Sequence, residues 1–147
     1  MNFSSGESVF ASRLATVILF DLDGDGVNER IELDDKRDPA LSIRRGKRQI
    51  WQGVHGRWKP WKLAIADVDG DGRLEIVVGV FKATRYFPKP HNCLFVYGWN
   101  GRRAFPRWLG STLSKPFTDF AFADLDNDGE DELVAIETLR DCKHWRF

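Results

Sequence analysis

Long apolar runs are missing from this sequence of 147 residues, and no stretch approaches the roughly 18 residues that a membrane-spanning helix needs. We therefore expect no membrane span. The first residues, Met1-Asn-Phe-Ser-Ser-Gly-Glu7, lack the basic and apolar segments of a secretory signal. Cysteine is scarce as well. Cys93 and Cys142 occupy equivalent places in the repeated units described below, which predicts two separate, buried free thiols rather than a disulfide.

Familiar catalytic motifs are also missing. The sequence contains no Gly-x-Ser-x-Gly elbow, no His-Glu-x-x-His pair and no glycine-rich phosphate loop. Its three histidines, His55, His91 and His144, are scattered, and none has an evident nucleophile beside it. We therefore assign no catalytic residue and expect a binding module rather than an enzyme.

What the sequence does have is an acidic nonapeptide that occurs three times. The copies are Asp21-Leu-Asp-Gly-Asp-Gly-Val-Asn-Glu29, Asp67-Val-Asp-Gly-Asp-Gly-Arg-Leu-Glu75 and Asp124-Leu-Asp-Asn-Asp-Gly-Glu-Asp-Glu132. We call them loop 1 (residues 21–29), loop 2 (residues 67–75) and loop 3 (residues 124–132). Glycine at position 6 allows the sharp bend that lets a chain return over a bound ion, because glycine takes positive φ at little cost.

The spacing suits a hard cation. Calcium takes six to eight oxygen ligands at about 2.3–2.6 Å, which a short loop supplies by pointing alternate side chains inward. Positions 1, 3 and 5 would give carboxylates, position 7 its backbone carbonyl, and position 9 a closing carboxylate. The predicted ligands are therefore Asp21, Asp23, Asp25, Val27 and Glu29; Asp67, Asp69, Asp71, Arg73 and Glu75; and Asp124, Asp126, Asp128, Glu130 and Glu132. We expect about three calcium ions.

Two other kinds of loop share features of these sequences. Asp and Gly are common in surface turns that bind no metal, but three copies in which every side-chain ligand is acidic favour a metal site. An EF-hand loop begins in the same way, but it needs a bidentate Glu at position 12 and helices on both sides. Position 12 is Glu32, Val78 and Ala135 in the three copies, so two of them lack that ligand.

The flanking segments predict strands rather than helices. Apolar residues alternate with small or polar ones before each loop, at residues 14–20, 61–66 and 117–123, and aliphatic runs follow at residues 31–33, 76–81 and 133–136. Weaker strand candidates follow at residues 40–43, 48–51, 93–97, 105–109 and 144–147. The loops start 46 and then 57 residues apart, a period typical of propeller blades. The sequence thus predicts a single all-β domain over residues 1–147, with blades of about four antiparallel strands at approximately 11–56, 57–113 and 114–147.

These units resemble the FG-GAP/VCBS type of repeat, which builds the β-propellers of integrin α subunits and of many bacterial surface and secreted proteins. The resemblance lies in the loop and in the strand that follows it, such as Glu75-Ile-Val-Val-Gly79. It implies that calcium in each loop stiffens a blade while partners bind elsewhere on the propeller. It also implies an extracellular or cell-surface location.

Three blades are fewer than the four to eight of a closed propeller. The chain could be part of a longer propeller, could close a ring with a copy of itself, or could form an open array with capped ends. We favour a fragment or a self-associating half-ring, because repeat units bury their faces only against neighbours. Residues 7–10 could supply a missing strand of the last blade.

The distribution of charged residues indicates what kind of partner the protein binds. The formal net charge is zero, but twelve of the 22 acidic residues are the predicted side-chain ligands at positions 1, 3, 5 and 9, which leaves ten acidic residues against the 22 basic residues of the chain. Basic clusters at residues 44–48 and 102–103, near several tryptophans, suit an anionic partner, although solvated turns beside core aromatics would look the same. We expect a protein or acidic glycan partner rather than nucleic acid. The alternative function is a lyase or hydrolase of acidic polysaccharide that uses Arg85, Tyr86 and His91 on an irregular excursion.

Overall fold

The computed structural model describes residues 15–110 and 113–138, and the prediction of an all-β fold is confirmed. Within these residues the only helical element is a single 3₁₀ turn, Gly56–Trp58. The strands are β1 Thr16–Phe20, β2 Glu29–Leu33, β3 Leu41–Arg45, β4 Arg48–Gly53, β5 Lys62–Ala66, β6 Glu75–Lys82, β7 His91–Trp99, β8 Ala104–Leu109, β9 Phe117–Ala123 and β10 Glu132–Glu137.

The strands form three antiparallel sheets, and within each sheet neighbours in sequence are neighbours in space. The first sheet has the order β1-β2-β3-β4, the second β5-β6-β7-β8, and the third pairs β9 with β10. None of the three closes into a barrel. The weaker strand predictions at 40–43, 48–51, 93–97 and 105–109 are confirmed as β3, β4, part of β7 and β8. The candidates at residues 7–10 and 144–147 lie outside the described residues.

The two central strands of the second sheet, β6 and β7, are buried on both faces. Successive side chains of a strand point to opposite faces, and Ile76, Val78 and Val80 of β6 join a core shared with the first sheet. Val77 of β6 instead joins a second core with Phe117 and Phe120 of β9. Since β6 is covered from both sides, it has a continuous apolar run rather than an alternating one. The sheets are therefore layered, each burying apolar surface against the next in sequence.

At Gly79 of β6, the lack of a side chain makes room for the indole of Trp61, which directly precedes β5 of the same sheet. A Cβ at this position would lie 2.8 Å from the indole of Trp61 and 3.0 Å from the ring of Phe120. The backbone N–H of Trp61 also donates to the Gly79 carbonyl at 2.8 Å. The absence of a side chain at residue 79 thus lets Trp61 and Phe120 meet edge to face, with ring centroids 5.6 Å apart.

Lys62 of β5 and Asp119 of β9 form an ion pair that links the second and third sheets. The Nζ–Oδ1 distance is 2.6 Å, and the Lys62 ammonium also lies 5.2 Å from the centroid of the Phe120 ring. The pKa of Asp119 lies below its ordinary value of 3.8, mainly because its carboxylate accepts the hydrogen bond from Lys62. The pair therefore depends on pH.

Asp119→Asn should reduce stability at about pH 6, and the deficit should shrink as the pH falls below the ordinary carboxyl pKa. A carboxyl whose pKa is lowered in the folded state contributes stability above its unfolded pKa, and this contribution is lost as pH falls through the folded pKa. Urea unfolding midpoints of both proteins across this range measure the effect. Asp35→Asn, at an exposed site, is the control, and a deficit that did not change with pH would contradict the prediction.

Apolar side chains are exposed on both outer sheets of the stack. Leu19 of β1 is 62% exposed and Ile136 of β10 is 61% exposed, with Val17 and Val134 beside them at 38% and 39%. Leucine, isoleucine and valine side chains on the face of a sheet are ordinarily buried when another sheet packs against that face. The two ends of the described array therefore present apolar surface.

Candidate metal centres

Each acidic loop joins two antiparallel strands, as the sequence predicts and unlike an EF-hand. Loop 1 connects β1 to β2, loop 2 connects β5 to β6, and loop 3 connects β9 to β10. Positions 4 and 6 have positive φ in all three loops. At position 6 the angles are 86° for Gly26, 81° for Gly72 and 94° for Gly129, which an L side chain adopts only with strain. The predicted need for glycine at this position is borne out by the backbone.

The aspartates of each loop accept hydrogen bonds from the loop's own backbone. In loop 1, Asp21 accepts from the N–H of Asp25 at 3.1 Å and of Gly26 at 2.7 Å. Asp23 accepts from Asp25 at 3.3 Å, and Asp25 accepts from Val27 at 2.9 Å. Loops 2 and 3 repeat all four bonds at distances from 2.7 to 3.3 Å. Backbone donors thus hold three carboxylates in one concave turn.

The glutamate at position 9 fastens the end of the loop to its beginning. Glu29 accepts a hydrogen bond from the backbone N–H of Leu22 at 2.9 Å, and the equivalent bonds in loops 2 and 3 measure 2.9 and 2.7 Å. Glu29 and Glu75 are fully buried, whereas Glu132 is half-buried. Burial is the largest influence on Glu75 and raises the pKa of its carboxyl. The sequence predicts position 9 as a closing metal ligand but does not predict its hydrogen bond to the backbone N–H of position 2.

An arginine from a later strand reaches into loop 1 and another into loop 2. In loop 1, Arg45 of β3 contacts Oδ2 of Asp23 and Oδ2 of Asp25, each at 3.2 Å, and also binds Oε1 of Glu29. The hydrogen bond with Glu29 is the largest cause that raises the pKa of the Arg45 guanidinium. The sequence predicts that Arg45 belongs to a basic cluster available to a partner. The structure shows it engaged with loop 1.

Arg107 makes the same arrangement in loop 2 although it comes from β8. Its Nη2 lies 2.7 Å from Oδ2 of Asp69, and its Nη1 lies 3.6 Å from Oδ2 of Asp71 and binds Oε1 of Glu75. The hydrogen bond with Glu75 is the largest cause that raises the pKa of Arg107. Among residues 15–110 and 113–138, no basic side chain pairs with the acids of loop 3.

Each loop brings three acidic side chains close enough to share one cation. The ligand atoms lie within 4.8 Å of one another in the groups Asp21, Asp23 and Glu29; Asp67, Asp69 and Asp71; and Asp124, Asp126 and Glu132. All of these ligand atoms are carboxylate oxygens, the ligand type that hard divalent cations prefer. The acidic clusters could therefore hold a metal ion. The other predicted ligands, including the carbonyls of Val27, Arg73 and Glu130, remain predictions.

Loops of adjacent sheets lie close to one another at one end of the stack. An added Cβ at Gly70 of loop 2 would meet the carboxylate of Glu130 of loop 3 at 3.1 Å. Between loops 1 and 2 lies a cavity of about 600 Å³ lined in part by Asp21, Asp71 and Trp99. The three acidic clusters therefore share one region of the protein surface.

The excursion between β6 and β7 holds the residues of the alternative enzymatic function. Tyr86 is 78% exposed, and Arg85 lies 5.8 Å from its ring centroid. His91 instead lines an apolar pocket of about 590 Å³ with Phe87 and Phe117, and its Nδ1 lies 2.8 Å from the carbonyl oxygen of Lys89. Arg85 and Tyr86 do not line that pocket.

Cys93 and most of the tryptophans near the basic clusters lie in or against the first core. Cys93 is buried and free among the described residues, and burial raises the pKa of its thiol, whereas Cys142 lies outside them. Trp51, Trp58 and Trp99 pack against the first core, while Trp108 is 46% exposed. Three of the four tryptophans near the basic clusters therefore serve the core.

No family model, curated protein or solved structure matched this chain in the three comparisons that were made. In the described residues, no helix has the length and apolar character needed to span a membrane.

Proposed function

We propose that this protein is a calcium-binding, propeller-type interaction module of the FG-GAP/VCBS kind, in which calcium braces the strand connections. The observation that carries the proposal is the threefold repetition of one loop geometry. Each copy gathers three carboxylates within 4.8 Å between two antiparallel strands. The same backbone hydrogen bonds hold the aspartates of all three loops, and the groups take positions 1, 3 and 9 in loops 1 and 3 and positions 1, 3 and 5 in loop 2.

The donor set favours calcium over other common divalent ions. Zinc prefers histidine nitrogen and cysteine sulfur, and the three groups contain neither. Magnesium demands near-octahedral geometry and keeps several waters, whereas calcium accepts many carboxylate and carbonyl oxygens in flexible geometry. A calcium ion would neutralise the mutual repulsion of the carboxylates. The loop's own backbone N–H groups already hold the aspartates of positions 1, 3 and 5 in the required turn.

The proposed partner is a protein or an acidic glycan. Arg48 and Arg102 line an open cavity of about 540 Å³ on the side of the first two sheets. Basic side chains around a concavity attract anionic groups. The exposed apolar residues of β1 and β10 support self-association or further blades at the two ends of the array. An extracellular or cell-surface location would supply calcium at the concentrations that weak extracellular modules need.

Calcium removal tests the proposal. For a site with a dissociation constant near 10⁻⁴ M, about 10 mM calcium should raise the free energy of unfolding by about 2.7 kcal/mol. Melting curves in calcium, in magnesium and in EGTA, together with calorimetric titration of calcium, measure this effect. Asp126→Asn is a suitable variant, because an amide oxygen can still accept from the N–H of Asp128 while the charge is lost. Identical melting in calcium and EGTA, with no heat of binding, would contradict the proposal.

A further inference from the structure

All eight carboxylate oxygens of the acids at positions 1, 3, 5 and 9 have a partner in loop 1. Backbone N–H groups occupy both oxygens of Asp21 and one oxygen each of Asp23, Asp25 and Glu29. The remaining three oxygens, one on each of positions 3, 5 and 9, contact Arg45. The guanidinium therefore lies against three of the four side chains that would bind a cation.

Loop 2 repeats this assignment of carboxylate oxygens with a different arginine. Arg107 contacts Oδ2 of Asp69, Oδ2 of Asp71 and Oε1 of Glu75, the same three positions that Arg45 contacts in loop 1. Arg45 belongs to the third strand of its sheet and Arg107 to the fourth strand of the next. The two arginines therefore do not occupy equivalent positions in the repeat, although they contact the same three carboxylate oxygens. The shared feature is the set of oxygens that each guanidinium reaches.

Loop 3 keeps the backbone hydrogen bonds but has no guanidinium among residues 15–110 and 113–138. Within that part of the chain, the three oxygens without a partner are Oδ2 of Asp126, Oδ2 of Asp128 and Oε1 of Glu132. They are the counterparts of the three oxygens that arginine holds in loops 1 and 2. Among the described residues, an arginine thus contacts loop 1 and another contacts loop 2, whereas none contacts loop 3.

We propose that Arg45 and Arg107 are built-in cations that take up ligand oxygens of loops 1 and 2, so that these loops hold their shape without calcium while loop 3 binds calcium most tightly. This inference rests on the proposed function. It deepens it by ranking the three sites and by naming the side chains that set the rank.

Charge and geometry lead to the same ranking. Calcium entering loop 1 or loop 2 must displace a guanidinium from at least two aspartate oxygens or bind beside its positive charge, and both cost free energy. Loop 3 meets no such competitor among the described residues, and its carboxylates repel one another until a cation arrives. In addition, Arg45 ties loop 1 to β3 and Arg107 ties loop 2 to β8, which braces both loops when no metal is bound.

Site-resolved titration of the unmodified chain tests the ranking without any variant. The probe is calcium chloride, and the signals are the backbone amide resonances of Gly26, Gly72 and Gly129, one at position 6 of each loop. We expect the Gly129 signal to saturate at a calcium concentration at least about tenfold lower than the other two, since a nearby unit charge changes ion binding by roughly this factor even when solvent screens it. Equal midpoints, or a later midpoint for Gly129, would overturn the inference.

Arginine variants test the cause of the ranking. Arg45→Gln should tighten calcium binding at loop 1 by about tenfold or more, and Arg107→Gln should do the same at loop 2. Arg48→Gln and Arg102→Gln are matched controls, because each removes the same charge from a neighbouring exposed position, and neither arginine forms an ion pair with a loop acid among the described residues. Each loop-contacting variant should also melt at a lower temperature than its control in EGTA and regain more stability on adding calcium.

The outcomes separate the two proposals. If the unmodified chain binds no calcium at all, the proposed function fails, and the ranking fails with it. If the chain binds calcium but Arg45→Gln and Arg107→Gln leave affinity unchanged or weaken it, the proposed function stands and the role of the arginines is wrong. Tighter binding confined to the loop whose arginine was replaced would support the inference.

Discussion

Replacing Glu29 with alanine is expected to lower the free energy of unfolding by about 3 kcal/mol, near the lower end of the range for breaking a buried ion pair. Glu29 is fully buried, and its carboxylate accepts from the N–H of Leu22 and from Arg45. Alanine would leave both donors without this acceptor. The cost falls near the lower end of the range because Arg45 is 36% exposed and retains Asp23 and Asp25 as partners.

Glu132→Ala is the matched control, since Glu132 occupies the same position of loop 3. It makes the equivalent hydrogen bond to the N–H of Leu125, but it is half-buried and pairs with no arginine among the described residues. Its loss should cost only about 1 kcal/mol, the usual net contribution of one hydrogen bond. Urea unfolding in EGTA would compare the two variants in the absence of calcium. Equal losses would show that burial and Arg45 add nothing at position 9 of loop 1.

Replacing Phe120 with alanine should lower the free energy of unfolding by about 3–5 kcal/mol. Phe120 is 2% exposed and belongs to the core between the second and third sheets. Its ring meets Trp61 edge to face, lies beside Gly79 and receives the Lys62 ammonium at 5.2 Å. Alanine would leave a cavity at the point where β9 packs against the second sheet, and the third sheet has only two described strands with which to compensate.

Phe122→Ala separates this effect from the general loss of an aromatic side chain. Phe122 lies two residues along β9 on the same face, 6.2 Å from Phe120 between ring centroids, but it is only half-buried. It should cost about half as much, because the cost of truncation follows the apolar surface that the side chain buries. Thermal unfolding followed by tryptophan fluorescence compares the stability of the two variants. If the Phe120→Ala protein were as stable as the Phe122→Ala protein, the packing of β9 against the second sheet would not depend mainly on Phe120.

The local features of this protein could be read from its sequence because they depend on neighbours within a few residues. Glycine at position 6, the hairpin on either side of each loop and the four backbone hydrogen bonds to aspartate all arise inside segments of nine residues. Period-two patterning likewise predicted the strands, including the weaker ones that became β3, β4, β7 and β8. The acidic loops and the all-β fold were therefore determined by the sequence alone.

Tertiary structure decided what those loops contact. Arg45 lies 16 residues from Glu29 and Arg107 lies 32 residues from Glu75, and no spacing rule connects a loop to a side chain from the third strand in one sheet and the fourth in the next. The layering that buries β6 on both faces also depends on surfaces that form only when sheets stack. From the sequence alone, an arginine in a strand looks like a solvated surface charge, because only the fold determines which groups its side chain contacts. Local hydrogen bonding thus set the shape of the acidic loops, and long-range packing decided which of them already hold a positive charge.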